Sequence, residues 1–361
     1  MNQLASFILF LVCTIATGNV HAKIWRVNNN TGVARDFAQP GNAVASASVL
    51  NGDTIHIEPS LTNYSGFSSN KRLVWIGPGY FLASGIAFEP ANTGLQATAL
   101  PANIDNITLA AGAEGSRFMG IYFGNFNIGA STGNIWIEKC RFSGGVIMSN
   151  AGVVYSNITI RKCFFNHNCS INAVAASPGS VSGLVIENNI FNGDIFANLS
   201  SAEFGSGGNI FRNNTCGWFR GGILYGFYVA NNIFTFLNDM GNLFAVSVVK
   251  NNIFASAVQT LPGTAVGNQL GIHFNSVFID DFVNAVGSID HRFMLRAGSP
   301  AIGTGVTISG YTPDCGAFGG PDPYRLSGIP AVPTIYSLTV PTSIPQGQAT
   351  MSVQLSTRNN N

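Results

Sequence analysis

Short apolar pairs return along the chain behind paired polar residues. Residues 186–191 read Ile-Glu-Asn-Asn-Ile-Phe, residues 230–234 Ala-Asn-Asn-Ile-Phe, residues 250–254 Lys-Asn-Asn-Ile-Phe and residues 212–216 Arg-Asn-Asn-Thr-Cys. With the second Asn of each pair as a register mark, the equivalent positions are Cys140, Cys163, Asn189, Asn214, Asn232 and Asn252. Three residues before each mark stands an apolar residue: Ile137, Ile160, Ile186, Phe211, Val229 and Val249. Two residues after it stand Phe142, Phe165, Phe191, Cys216, Phe234 and Phe254. A mean period of about 22 residues built from strand-like patches is the signature of a solenoid.

The phase of the pattern defines the turn. Side chains alternate across a strand, so an odd spacing of three cannot keep both the upstream apolar residue and the mark on one face. Both point inward only around a corner. Asn suits a corner because it tolerates left-handed backbone angles and bonds to nearby backbone groups. Asn189 is therefore expected to turn the chain and to tie its coil to the next. Coils stacked ~4.8 Å apart would set Asn189, Asn214, Asn232 and Asn252 above one another as an amide ladder. A leucine-rich horseshoe also carries Asn ladders, but it requires a helical half and a regular LxxLxL repeat, which this chain lacks. The connections are rich in Gly, Ser and Asn without helical periodicity, which predicts an all-β coil: a right-handed parallel β-helix.

Composition narrows the function classes. Charged residues make up 9% of the chain and the formal net charge is +1, so there is no basic field to gather nucleic acid. Residues 1–22 carry an apolar run from Phe7 to Ala16 and small residues at Val20 and Ala22, which predicts an export signal cleaved before Lys23. No later segment is long and apolar enough to span a membrane. The expected organisation is a signal peptide at 1–22, a β-helix over 23–325, and a Pro-rich link with a β tail over 326–361. That tail is expected to lie along the helix or to form a hairpin from strands near 334–340 and 350–356. Of the five cysteines beyond the leader, Cys163 and Cys169 could pair; the others read as small buried hydrophobes.

A resemblance supports the fold. Residues 51–59 (Asn-Gly-Asp-Thr-Ile-His-Ile-Glu-Pro) and 71–80 (Lys-Arg-Leu-Val-Trp-Ile-Gly-Pro-Gly-Tyr) resemble the first coils of secreted bacterial proteins of the pectin-lyase-like superfamily. Residues 295–305 (Leu-Arg-Ala-Gly-Ser-Pro-Ala-Ile-Gly-Thr-Gly) and 314–319 (Asp-Cys-Gly-Ala-Phe-Gly) resemble the closing segment of the same proteins. The resemblance runs from about Lys23 to Arg325. It implies the β-helix and leaves the activity open, because the superfamily mixes lyases, hydrolases and adhesins.

Candidate chemistry lies on the outward positions. Two residues before the mark, successive coils carry Glu138, Arg161, Glu187, Arg212, Ala230 and Lys250, which predicts an ion ladder of alternating sign. With Lys139 and Lys162 added, the same residues could instead be a lyase face: Arg161, Lys162, Arg212 or Lys139 as base or counter-ion to a uronate, and Glu138 and Glu187 with calcium. The structural reading is preferred, because a calcium site needs clustered oxygen ligands and the two glutamates are separated by a cation. No metal or other cofactor is expected outside that alternative. Four residues before the mark run Trp136, Thr159, Val185, Ile210, Tyr228 and Val248, an apolar stripe on an outward face. A covering loop or tail is the first reading; the second is a sugar-stacking surface in which Trp136, Tyr228, Glu138 and Glu187 hold a glycan.

Other candidates are weaker. Asp280 and Asp281 alternate across a strand and read as turn residues rather than a glycosidase pair. His56, His167, His273 and His291 each lack an assignable partner for a triad. The Asn-x-Ser/Thr matches at Asn63, Asn106, Asn157 and Asn198 are expected by chance in an Asn-rich chain. The expected function is glycan or cell-envelope binding, or an adhesin-like structural role, without catalysis; the alternative is a polysaccharide lyase.

Overall fold

The computed structural model describes residues 22–360, except 83–91, 93, 99, 130–132, 149, 151, 167–168, 173–180, 196–207, 220–223 and 280–286. The expected leader up to residue 21, His167, Asn198, Asp280 and Asp281 lie outside the described residues.

The alternating strands stack as two long parallel sheets. The first runs through ten short strands: Ile24–Val27, Thr54–Ile57, Val74–Ile76, Arg117–Met119, Trp136–Glu138, Thr159–Arg161, Val185–Glu187, Ile210–Arg212, Tyr228–Ala230 and Val248–Lys250. The second begins at Phe67–Ser69 and continues through Asn103–Leu109, Tyr122–Ile128, Arg141–Ile147, Phe164–Phe165, Ile190–Ile195, Thr215–Phe219 and Ile233–Phe234 to Ile253–Phe254. Every neighbouring pair in both is parallel, and chain order is spatial order, so the chain is a parallel β-helix. A short helix, Pro40–Ala45, packs Pro40, Ala43 and Val44 against the first coils.

Register places the two apolar columns where the repeat predicts them. Ile137, Ile160, Ile186, Phe211, Val229 and Val249 are in register along the first sheet and buried. Phe142, Phe165, Phe191, Cys216, Phe234 and Phe254 do the same along the second. The rings stack from coil to coil, Phe142 on Phe165 at 4.9 Å and Phe165 on Phe191 at 4.5 Å. At Cys216 the column loses a ring, and Phe211 from the opposite column fills the space, 6.1 Å from Phe191 and 6.3 Å from Phe234. Volume is conserved across the two columns, as close packing demands.

The corner divides its work between two residues, which corrects the expectation that Asn189 does both. The residue before each mark takes the left-handed turn: φ is 53° at Lys139, 52° at Lys162, 54° at Asn188, 52° at Asn213, 59° at Asn231 and 51° at Asn251. The mark itself forms the ladder. Asn189 Nδ2 donates to Asn214 Oδ1 at 3.0 Å, Asn214 to Asn232 at 3.1 Å and Asn232 to Asn252 at 2.9 Å. Each carbonyl also accepts the backbone N–H of the preceding mark, and each amide donates a second bond to a backbone carbonyl. All four asparagines are fully buried with their polar atoms satisfied, as burial requires. The ladder continues one step further, to Asn268 at 3.0 Å.

The chain then doubles back. Residues 301–330 form a strap that runs along the outside of the corner, against the direction of coil growth. Thr304 O accepts from Asn251 Nδ2 at 3.0 Å, Val306 N donates to Asn231 Oδ1 at 2.7 Å, and Asp314 O accepts from Asn213 Nδ2 at 3.2 Å. Ala317 O and Gly319 O accept from Asn188 Nδ2 at 3.0 and 2.7 Å. Near its end the strap is stapled by the buried Asp290, whose Oδ2 accepts from Tyr324 OH at 3.1 Å and Ser327 N at 2.7 Å. Tyr324 OH in turn meets Tyr80 OH at 2.8 Å. Gly120 is required where the strap crosses, since a Cβ there would lie 2.5 Å from Pro330 Cγ.

Beyond the strap, Thr334–Thr339 and Gln354–Arg358 pair as an antiparallel hairpin. It touches the helix through Ala97 N donating to Ile335 O at 2.8 Å. Cys163 and Cys169 are not paired: Cys163 Sγ lies 3.2 Å from Arg161 O and Cys169 Sγ 3.0 Å from Phe142 O. All five described cysteines are free and buried. Burial pushes the thiols of Cys140 and Cys169 up to about 12, so they behave as small core residues.

Candidate functional site

Each three-residue strand of the first sheet turns its middle residue inward and its flanking residues outward. The two outward columns predicted from sequence therefore share one face, and the strap borders it. Along the column two residues before the mark, Arg161 NH2 bonds Glu138 Oε2 at 3.1 Å and Arg212 NH2 bonds Glu187 Oε2 at 2.7 Å. The strap adds a carboxylate that the sequence reading did not assign. Asp322 bonds Arg161 NH1 at 3.1 Å and pairs closely with Lys162 Nζ, which also lies 3.6 Å from Glu138 Oε1.

Trp136 belongs to this network rather than to an open stacking surface. Its Nε1 donates to Glu138 Oε2 at 2.9 Å, and the Arg161 guanidinium sits 4.5 Å from its ring centroid. Burial works against the charge on Glu138, but the bonds from Trp136 and Arg161 outweigh it and hold the carboxyl below its usual range. At Asp322 burial is likewise outweighed, chiefly by the bond from Lys162, and this carboxyl too is lowered. Lys139 and Lys162, which occupy the turn in successive coils, are only 3% exposed.

Further along the same face the strap stands away from the sheet and leaves a cleft of about 310 Å³. Glu187, Arg212 and Tyr228 line its sheet side, Val306, Ile308, Tyr311 and Pro313 its strap side, and Asp322 its end. Tyr228 is half-buried and Tyr311 is 55% exposed. The residues singled out from sequence thus fall into two groups. Trp136, Glu138, Arg161, Lys139 and Lys162 gather beside Asp322, whereas Glu187, Arg212 and Tyr228 face the cleft. The strap follows the corner and approaches the apolar stripe at Tyr228; Val248, further along, is 37% exposed. Tyr311 and Asp322 were not found from sequence, since neither lies in the repeat.

Other expected groups are structural. His56 is half-buried on the outward face of the first sheet, where burial pushes its pKa down. His273 Nδ1 accepts from Asn275 N at 3.3 Å at the start of a 3-10 turn. Asn63 and Asn106 line a polar groove of about 420 Å³ on the second sheet. Among the described residues, no group of three or more His, Cys, Asp and Glu side chains gathers as metal ligands, and no helix is long and apolar enough to cross a membrane. No protein-family model matches the chain, and no curated protein matches it.

Proposed function

We propose that the chain is an exported or cell-surface protein that binds a glycan or another component of the cell envelope, without catalysing a reaction on it. The observation that supports this reading is the cleft between Tyr228 and the strap. It sets aromatic and aliphatic side chains opposite each other, with the Arg212–Glu187 pair and Asp322 at their edge. A sugar ring offers an apolar C–H face and a polar edge, which such a surface matches. The resemblance of residues 51–80 and 295–319 to secreted pectin-lyase-like proteins, and the leader-like residues 1–22, agree with an exported role. A glycan array probed with the full mature chain tests it. Binding that falls at least tenfold in Tyr311→Ala, an exposed position whose loss spares the fold, is the expected result. No bound glycan, or binding unchanged in both Tyr311→Ala and Tyr228→Ala, overturns the proposal.

The second reading is a polysaccharide lyase that uses the same cations, with calcium as its cofactor. It draws on the presence of Arg161, Lys162, Lys139 and Arg212 around one face. The ion pairs weigh against it: Arg161 and Lys162 are neutralised by Glu138 and Asp322, and a base must be free to take a proton. Pectate, alginate and chondroitin incubated with the protein and calcium should yield no unsaturated ends. Product that disappears in Arg161→Ala or Lys162→Ala would establish the lyase instead.

A further inference from the structure

The hairpin beyond the strap has two unlike faces. Its register pairs Ile335 with Thr357, Ser337 with Ser356, Leu338 with Leu355 and Thr339 with Gln354, with an irregularity between Ile335 and Ser337. Residues opposite each other share a face, and side chains alternate along each strand. Ile335, Leu338 and Leu355 therefore stand on one face, and the same alternation carries Val340, Val353 and Met351 onto it. Ser337, Thr339, Gln354 and Ser356 stand on the other. Among the described residues nothing covers the apolar face, whose six side chains are each 43% to 57% exposed.

The hairpin reaches the helix at its open end. There Ala97 N donates to Ile335 O at 2.8 Å and Arg358 Nη2 donates to Leu95 O. Neither contact shields Leu338, Leu355 or the residues toward the turn. A two-stranded hairpin is marginal in water and needs a further layer over its apolar face.

Charge and size say what that layer is. From Leu326 onward the only charged side chain is Arg358, next to Thr357 and so on the opposite face, with its guanidinium 5.6 Å from the Tyr336 ring centroid. Two copies of the apolar face therefore meet without bringing like charges together. Each copy offers on the order of 500 Å², so two copies bury on the order of 1,000 Å² in total, the size at which a specific interface begins. Adding a strand at the hairpin's edge would also extend the sheet, but it would leave all six side chains in water.

We propose that the hairpin of residues 334–358 is a self-association surface, on which a second copy of this chain packs its own hairpin face to face about a two-fold axis. Leu338 and Leu355 of both copies form the centre of the resulting four-stranded sandwich, its two layers ~10 Å apart. The contact is isologous and closes at two copies, so it makes a dimer and no filament. It stands independently of the glycan reading, and it would set two clefts on one particle, which raises avidity for a polymeric ligand that reaches both.

Sedimentation velocity of the full mature chain across a wide range of concentration tests the proposal. A reversible monomer–dimer equilibrium is expected. Leu338→Lys and Leu355→Lys should each raise the dissociation constant at least tenfold, and Gln354→Lys, on the opposite face of the same strand, should leave it unchanged. Because a lysine can also unpair the strands, cysteine variants supply a second reading. A short bismaleimide should link Leu355→Cys into a covalent dimer and leave Gln354→Cys a monomer, since the five described cysteines of the chain are buried. A chain that stays monomeric at every concentration overturns the proposal and leaves the face to a sheet of another polypeptide. A dimer that both lysine variants leave intact, or equal linkage of the two cysteine variants, places the interface elsewhere and overturns it as well.

Discussion

Two adjacent asparagines at each corner have the same side chain and different tasks. Asn213 supplies backbone freedom and one bond to the strap, whereas Asn214 supplies the ladder. The consequences of replacing them should diverge. Asn214→Ala strands the buried N–H and amide of Asn189, both of which donate to Asn214 Oδ1. At about 1–3 kcal/mol for each orphaned group, the loss should be roughly 3 kcal/mol or more. Asn213→Gly keeps the left-handed turn and loses peripheral bonds, so it should cost about 1 kcal/mol or less. Asn213→Val should cost more than the Gly variant by about 1–2 kcal/mol, because the branched side chain opposes the positive φ. Urea midpoints of the three variants check the order; equal losses at Asn213 and Asn214 would contradict the division of labour.

Between elements, packing is shared across columns rather than fixed within one. Phe211 and Cys216 exchange volume between the two sheets, so their substitutions should couple. Cys216→Phe alone overfills the coil and Phe211→Ile alone leaves a void, each destabilising by about 1–3 kcal/mol. The double variant restores the pattern of the neighbouring coils and should recover a coupling of about 0.5–3 kcal/mol in a double-mutant cycle. The strap joins the coils through charge as well. Glu138 and Asp322 are held below their ordinary values of 4.5 and 3.8, so the stability they contribute is complete above those values and lost as pH falls through the depressed ones. Protection of the Tyr324 and Gly328 amides, taken relative to the intrinsic exchange rate at each pH, should fall as acid reaches that range, and Asp322→Asn should produce part of the same loosening at neutral pH. Unchanged protection of the strap in both conditions would place its anchorage elsewhere.

At the scale of the molecule, the difference between what the sequence revealed and what it hid is chemical. The coils were legible because their corners demand a residue type: an amide at the mark, a residue tolerant of positive φ before it, and apolar residues at fixed distances. The last rung, Asn268, escaped because its coil, Val266-Gly267-Asn268-Gln269, keeps the turn and the ladder but lacks the apolar pair. The strap escaped for a different reason. It is held mainly through its backbone, by the carbonyls of Thr304, Asp314, Ala317 and Gly319, and every residue has a carbonyl, so no pattern of side chains announces it. The cleft and the ion-pair cluster both depend on that segment, which is why the sequence gathered their sheet-side residues but missed Tyr311 and Asp322. The strap also changes how the helix should unfold. A solenoid whose coils touch only their neighbours loses them from the ends in graded steps. Here one segment binds Asn251, Asn231, Asn213 and Asn188 in turn and ties four coils into a unit. Replacing all four by Gly preserves every left-handed turn and cuts the side-chain bonds to the strap. The parent chain should unfold in urea in a single steep transition over these coils, and the fourfold variant in a broader one with a smaller m-value, read by hydrogen exchange of the ladder amides of Asn189, Asn214 and Asn232. Equally steep transitions in both chains would mean that the ladder and the stacked rings carry the cooperativity without the strap.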